Sequence, residues 1–166
     1  MDAHEVLRVV QLLQGEGLRV WLDGGWGIDA LLGEVTRAHS DVDLVVEAPV
    51  LARVIESLAP LGYAVAEDLS PVRVVLRAAD GRQADLHPVT FADDGTGFQV
   101  GASPDGSDCL YPPDGFGEGH LFGTAVPCLS AELQVAHHGD YEPRERDRLD
   151  MALLTERFGL SPPGTY

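Results

Sequence analysis

At 166 residues, 45% of them hydrophobic and with a mean hydropathy of −0.01, the chain has the size and composition of one soluble domain able to build its core unaided. Its 27 acidic residues face 11 basic ones, all arginine, for a net charge of −16; this argues against a nucleic-acid backbone as partner and suits either a cationic small molecule or a surface kept soluble by charge. Two cysteines, Cys109 and Cys128, exclude a disulfide framework and match no zinc spacing; with no leader-like start and no membrane-length apolar run, a reducing, cytoplasmic home without a membrane partner is expected.

In chain order, Val6, Leu7, Val9, Val10, Leu12 and Leu13 predict a helix over 2–15, packed on one side and ended by Gly15 and Gly17. A strand is expected at about 18–22, then a short helix from Gly25 to about Leu32, closed by Gly33. The next strand, about 41–47, opens with Asp41-Val42-Asp43 and runs into Leu44-Val45-Val46. Pro49 starts a helix to about Leu61, with Gly62 as its stop. Tyr63-Ala64-Val65 and the segment from Pro71 to Leu76 read as strands, and Asp80-Gly81 turns the chain back into a strand over 82–89.

Residues 92–119 differ in texture, with seven glycines, three prolines and five aspartates. That is too long for an ordinary connection, so it forms either short strands with loops or a functional wall. An apolar stretch follows at 121–128, then a helix after an N-cap at Ser130, and a last helix from about Pro143 to Phe158, closed by Gly159. Helices alternating with strands that end in an antiparallel hairpin predict a mixed sheet of α/β or α+β class.

The chemistry concentrates in the first ninety residues. Asp41 and Asp43 alternate on a strand, so their side chains share a face with Cα atoms ~6.5–7 Å apart, close enough to converge on a hard cation or a metal pair. Aspartate is a poor strand former, and two like charges held together call for a counter-ion. Asp85, on the later strand, completes a three-carboxylate cluster if that strand lies beside the first. Such a site holds two Mg²⁺ for in-line phosphoryl displacement, with Asp85 also the candidate base for an attacking hydroxyl. Gly24 and Gly25, at a strand-to-helix junction, leave bare N–H groups for a phosphate. Arg37 is placed to pair with phosphate oxygens, and Trp26 beside the cradle to shape a nucleotide pocket. Trp21 and Tyr111 read as packing residues.

Other matches compete. Gly25-Trp26-Gly27-Ile28-Asp29-Ala30 fits the dinucleotide fingerprint, with Asp43 near the ribose position, but Trp26 is bulky for a pyrophosphate turn. Asp93-Asp94-Gly95-Thr96 lacks the phosphatase nucleophile, since Ala92 occupies its place. His39, His87, His137 and His138 match no zinc pattern; His39 and His87 keep a minor claim to touch nucleotide or substrate.

The segment from Leu22 to Gly33, followed by Thr36-Arg37-Ala38-His39-Ser40-Asp41-Val42-Asp43, resembles the antibiotic nucleotidyltransferases of the DNA polymerase β superfamily, in particular the lincosamide nucleotidyltransferase and aminoglycoside 2″-adenylyltransferase group. Ala84-Asp85-Leu86-His87-Pro88 is similar to the group's third-carboxylate segment. Pro127-Cys128-Leu129-Ser130, His138 and Tyr141-Glu142-Pro143-Arg144, with Asp147 and Asp150, resemble its C-terminal helical region. Two departures stand out: Gly25-Trp26 where the superfamily commonly has serine, and Asp140 where the lincosamide branch has glycine.

The resemblance implies an α+β fold, a polymerase β-like mixed-sheet core flanked by helices, in a single domain over 1–166. In it, about 1–91 would be the catalytic core and about 92–166 the acceptor side with the C-terminal helices. It implies that Gly24 and Gly25 bind the triphosphate of ATP or another nucleoside triphosphate, and that Asp41, Asp43 and Asp85 hold Mg²⁺. The expected activity moves a nucleoside monophosphate, AMP from ATP, onto a hydroxyl of a small molecule such as a lincosamide or aminoglycoside; a homodimer is left open. The alternatives are a protein-modifying adenylyltransferase of toxin–antitoxin type, a dinucleotide-binding oxidoreductase, and a binding module without turnover.

Overall fold

The computed structural model describes residues 1–139 and 142–164. Helix α1 (Ala3–Gly15) buries Val6, Val9, Val10 and Leu13, one face at the 3.6-residue period, and Asp2 caps it by accepting from the Glu5 N–H. Strand β1 (Val20–Asp23) leads into α2 (Gly24–Leu32), and β2 (Asp41–Glu47) carries the two alternating aspartates. The helix expected from Pro49 to Leu61 is α3 (Leu51–Leu58) with a 3₁₀ turn at each end, because Pro49 and Pro60 each sit in such a turn.

Strands β3 (Tyr63–Leu69), β4 (Arg73–Ala78) and β5 (Gln83–Phe91) form the expected meander. β3 runs four residues beyond Val65. Every residue of it after Tyr63 is exposed, so no buried apolar alternation marks it, and pairing with β4 across a bulge between Val65 and Glu67 defines it. Within 92–119 the chain makes two three-residue strands, β6 (Gly97–Gln99) and β7 (Cys109–Tyr111). The apolar stretch at 121–128 is the inner part of a hairpin, β8 (Phe116–Leu121) with β9 (Thr124–Leu129). Ser130 caps α4 (Ala131–His137) as expected. The last helix, α5 (Glu145–Phe158), starts two residues after Pro143 because the Asp147 carboxylate satisfies the Arg144 N–H and fixes the first turn there. Asp140 and Tyr141 lie outside the described residues.

The strands form a sheet of order β3-β4-β5-β2-β1-β9-β8, with β6 paired to β5 and β7 to β6. β2 runs antiparallel to β1 and parallel to β5, which makes the sheet mixed, and the fold is α+β. One face of the sheet (Val42, Leu44, Val46, Leu22, Leu76, Leu86) packs with α1 and α3 into the main core. The opposite face changes character along its strands. Asp41, Asp43 and Asp85 occupy one end, and Val45 and Val89 the other, where Tyr111, Leu129 and Leu133 close a second apolar cluster. No described helix is long and apolar enough to cross a membrane.

Candidate active site

Strand alternation sets the site. Because Val42 and Leu44 face the main core, Asp41 and Asp43 face away from it. β5 lies beside β2 in register, with Asp85 level with Asp43 and Gln83 level with Asp41. On the other side of β2, β1 ends at Asp23, level with Asp43. Asp23 accepts from the Gly24 N–H at 2.6 Å and so caps α2. Gly24 has φ +54°, and a Cβ there would lie 2.6 Å from Asp43 Oδ2; a Cβ on Gly25 would overlap His39 Nδ1. Both positions need glycine for space, and the start of α2 is left with bare N–H groups beside the carboxylates.

Each of the three expected ligands is turned toward a protein donor. Asp85, buried, accepts from Gln83 Nε2 at 2.9 Å and stands 3.5 Å from Arg73 Nη1. Burial, followed by the charge of Asp43, pushes the Asp85 carboxyl above its ordinary value, and Gln83 and Arg73 only partly offset this. Asp43 Oδ1 lies 3.3 Å from His87 Nε2, and Asp41 accepts from Ser40 Oγ at 3.1 Å. Burial pulls the His87 ring toward neutrality, but the hydrogen bond to Asp43 and the charges of Asp43, Asp23 and Asp85 outweigh it, and its pKa is raised.

The three carboxylates therefore share a face without converging, and among the described residues no group of three or more His, Cys, Asp or Glu side chains is arranged to hold a metal ion. The expected two-ion site has no direct support in this arrangement. The donor chemistry nonetheless fits a divalent cation: the oxygens are hard, burial and then the charge of Asp43 raise Asp85, and the positive charge it now meets is a guanidinium.

A cavity of about 370 Å³ opens over these groups. Five of the chain's eleven arginines line it: Arg37, Arg73, Arg77, Arg144 and Arg146. Six carboxylates, Asp41, Asp43, Glu67, Asp85, Asp147 and Asp150, line it as well. The cavity is therefore close to charge balance in a chain of net charge −16, a local concentration of guanidinium groups able to meet phosphate oxygens beside carboxylates able to meet a cation. Of the five, motif reasoning selected only Arg37 for phosphate. The structure puts Arg37 in the cavity wall but commits its Nε and Nη2 to the buried Asp150, with Nη2–Oδ2 at 2.6 Å. Arg73 and Arg77 were missed, although they alternate with Val75 on β4 and face Asp85 and Gln83 by the same period-2 rule that found the aspartates. Asp23 was also missed as a site residue; its place just before two glycines is an N-cap signal.

Trp26, expected at the nucleotide, is buried, 3% exposed, and is not among the residues lining the cavity. Its ring packs against His39 at 4.5 Å between centroids, and His39 in turn meets the buried Asp29 at 2.6 Å. Trp26 thus supports the cradle from behind, because the backbone turns its side chain inward on α2.

On the far side of Arg73 lies a second cavity, also about 370 Å³, with walls that include Leu69, Val72, Pro104 and Tyr111 and with Asp23 and His87 at its inner end. It shares Ser103, Cys109 and His137 with a larger cavity of about 840 Å³ that carries Asp108, Asp114 and Glu132. The segment 92–119 therefore does form short strands, and they wall a cavity beside the carboxylates.

Residues 5–154 match the model of the aminoglycoside-2''-adenylyltransferase family. A lincosamide resistance protein from Staphylococcus haemolyticus is 33% identical over 150 residues, covering 90% of this chain and 92% of the relative. A 2''-aminoglycoside nucleotidyltransferase from Klebsiella pneumoniae is 33% identical over 138 residues, 81% of this chain and 73% of the relative. Among solved structures, the lincosamide antibiotic adenylyltransferase LnuA with lincomycin bound superimposes with a TM-score of 0.83 at 31% identity, covering 93% of this chain and 97% of that one. ANT(2")-Ia in complex with adenylyl-2"-tobramycin shares the fold, with a TM-score of 0.78 at 23% identity over 94% of this chain and 88% of its own.

Proposed function

This chain belongs to the aminoglycoside-2''-adenylyltransferase family and is an enzyme of the nucleotidyltransferase class, and from that premise we propose that it transfers AMP from ATP to a hydroxyl of a lincosamide- or aminoglycoside-type antibiotic, conferring resistance. The observation that carries the reading is the arginine-lined cavity over Gly24, Gly25 and the three aspartates, in a chain otherwise strongly acidic. The triphosphate lies there, on the bare N–H groups of Gly24 and Gly25 and among the arginines; Arg37 contributes from the wall while anchored on Asp150. Asp41, Asp43 and Asp85 would hold Mg²⁺, which when bound supplies neutralising charge to the phosphates.

The acceptor occupies the second cavity, where its hydroxyl reaches the carboxylates past Asp23 and His87. The acidic lining of the adjoining larger cavity suits an amine on that acceptor. Asp85, on the strand beside Asp43, takes the hydroxyl proton. The hydroxyl oxygen forms the new bond to the α-phosphorus as the bond to the bridging oxygen breaks, and pyrophosphate leaves on the arginine side.

The test is incubation of the protein with ATP, Mg²⁺ and a panel of lincosamides and aminoglycosides, read by mass spectrometry. An adenylylated drug with equimolar pyrophosphate is expected. Unmodified drugs throughout the panel, or a nucleotide mark appearing on a protein instead, would overturn the reading.

A further inference from the structure

The middle carboxylate, Asp43, is held from outside the donor half. Its Oδ1 faces His87 Nε2 at 3.3 Å, and the other nitrogen of that ring, Nδ1, faces Gln99 Nε2 at 3.2 Å. Gln99 is 4% exposed and ends β6; its Nε2 also donates to the Val72 carbonyl at 2.7 Å, and its Oε1 accepts from the Tyr111 hydroxyl at 2.7 Å. The three contacts fix which way the amide points. Turned over, its oxygen would face the Val72 carbonyl oxygen, two acceptors against each other. With Nε2 as placed, one amide hydrogen serves Val72 and the other points at His87 Nδ1, which must then offer a lone pair. The ring's single proton is left on Nε2, aimed at Asp43.

Local packing makes this chain of contacts rigid. A Cβ on Gly97 would lie 2.6 Å from Val89 Cγ1, so glycine lets β6 close onto β5 and brings Gln99 within reach of His87. Tyr111, 2% exposed, lies on β7 paired to β6.

We infer that Gln99 and Tyr111 are positioning residues for the transfer reaction: they hold His87 in the Nε2–H tautomer, and His87 thereby fixes the orientation of the Asp43 carboxylate. The inference rests on the proposed nucleotidyl transfer for its functional consequence. A histidine held in one tautomer by a hydrogen bond to its second nitrogen is the arrangement by which outer partners orient groups at catalytic centres.

Long-range ¹H–¹⁵N correlation of the ¹⁵N-labelled, ligand-free protein, with the pH raised until the His87 ring is neutral, reads the tautomer directly. The neutral ring is expected to carry its proton on Nε2; a neutral ring protonated on Nδ1, or a ring still doubly protonated at the highest pH at which the fold holds, overturns the inference. In Gln99→Leu the tautomer signature is lost, and kcat falls by about 10- to 100-fold while the KM for ATP stays near wild type, the usual scale for removing an outer partner. The Mg²⁺ concentration giving half-maximal activity rises in the same variant. Tyr111→Phe keeps the ring and removes only the hydroxyl, so it carries the test if Gln99→Leu does not fold; its expected loss is smaller and in the same direction. Wild-type kcat and Mg²⁺ dependence in the folded variants would overturn the inference. The spectrum needs no substrate, so an enzyme that transfers no nucleotide yet shows the Nε2–H ring would sink the functional reading and not the geometry.

Discussion

The two halves of the proposed site, one for the nucleotide donor and one for the acceptor, are built by different means. The donor half is local: Gly24 and Gly25 at one strand-to-helix junction, Asp41 and Asp43 on one strand, Asp85 on the strand beside it. Its chemistry is written in short motifs whose spacing has a direct geometric meaning. The acceptor half draws Val72 from the segment just before β4, Gln99 from β6, Tyr111 from β7 and His137 from α4 into one cavity, with no residue type repeated at a fixed interval. The motifs proposed for the nucleotide are therefore readable from the chain, whereas the cavity proposed for the acceptor exists only once long-range pairing has formed.

The comparison is tested first where the effect is largest. Asp43→Asn removes the carboxylate at the centre of the face, and turnover should fall roughly 10³-fold, about 4 kcal/mol of transition-state stabilisation, with the circular dichroism spectrum preserved. Pyrophosphate release gives the rate. Near-normal turnover would mean that the donor half has been misplaced.

Ala102→Trp narrows the second cavity without touching the first. A tenfold or larger rise in the acceptor's KM is expected, on the order of 1.4 kcal/mol, with the KM for ATP unmoved. Steady-state kinetics varying each substrate separates the two, and a parallel rise in both would erase the distinction between halves.

A third effect concerns the joint between the segment that precedes β2 and the C-terminal helix. Asp150 is 2% exposed and pairs with Arg37, so Arg37→Ala strands a buried carboxylate and should cost about 3 kcal/mol in urea unfolding. Arg37→Ala combined with Asp150→Asn should recover part of that loss. If the single variant loses nothing in stability but ATP binding collapses, Arg37 serves phosphate alone and its tie to Asp150 is incidental.

What the sequence made legible follows the same division. Period-2 alternation put Asp41 and Asp43 on one face, Asp85 joined them only on condition that its strand lay alongside, and the parallel pairing of β2 with β5 turned that condition into a register. The same rule, applied to β4, would have found Arg73 and Arg77, yet an arginine in an apolar strand reads as an ordinary exposed residue until the strand's neighbour is known. Trp26 shows the opposite failure: nearness in sequence to the glycine cradle does not say which side of a helix a ring lies on. β6 and β7 are three residues each, too short for any period to register, and Gln99 is unremarkable until its amide is seen between Val72, His87 and Tyr111.

The smallest expected effect uses the two cysteines as reporters, one for each region. Cys128 lies on β9, level with Leu22 of β1, within the main core and fully buried, and burial pushes its thiol up to about 12. The thiolate is the reactive form, and at pH 8 only about 10⁻⁴ of such a thiol is ionised, so Cys128 should resist iodoacetamide in the folded protein. Because the folded state holds this proton more tightly than the unfolded chain, Cys128 favours folding below the ordinary thiol pKa, and that contribution is lost as pH rises through about 12. Cys109 is half-buried in the wall shared by the two acceptor-side cavities, with its sulfur 3.3 Å from His137 Nε2. Peptide mapping after alkylation should find one modified cysteine, Cys109, with a bound acceptor slowing its labelling a few-fold and ATP leaving it unchanged. Protection by ATP alone would place the nucleotide on the wrong side of Arg73 and exchange the roles of the two halves.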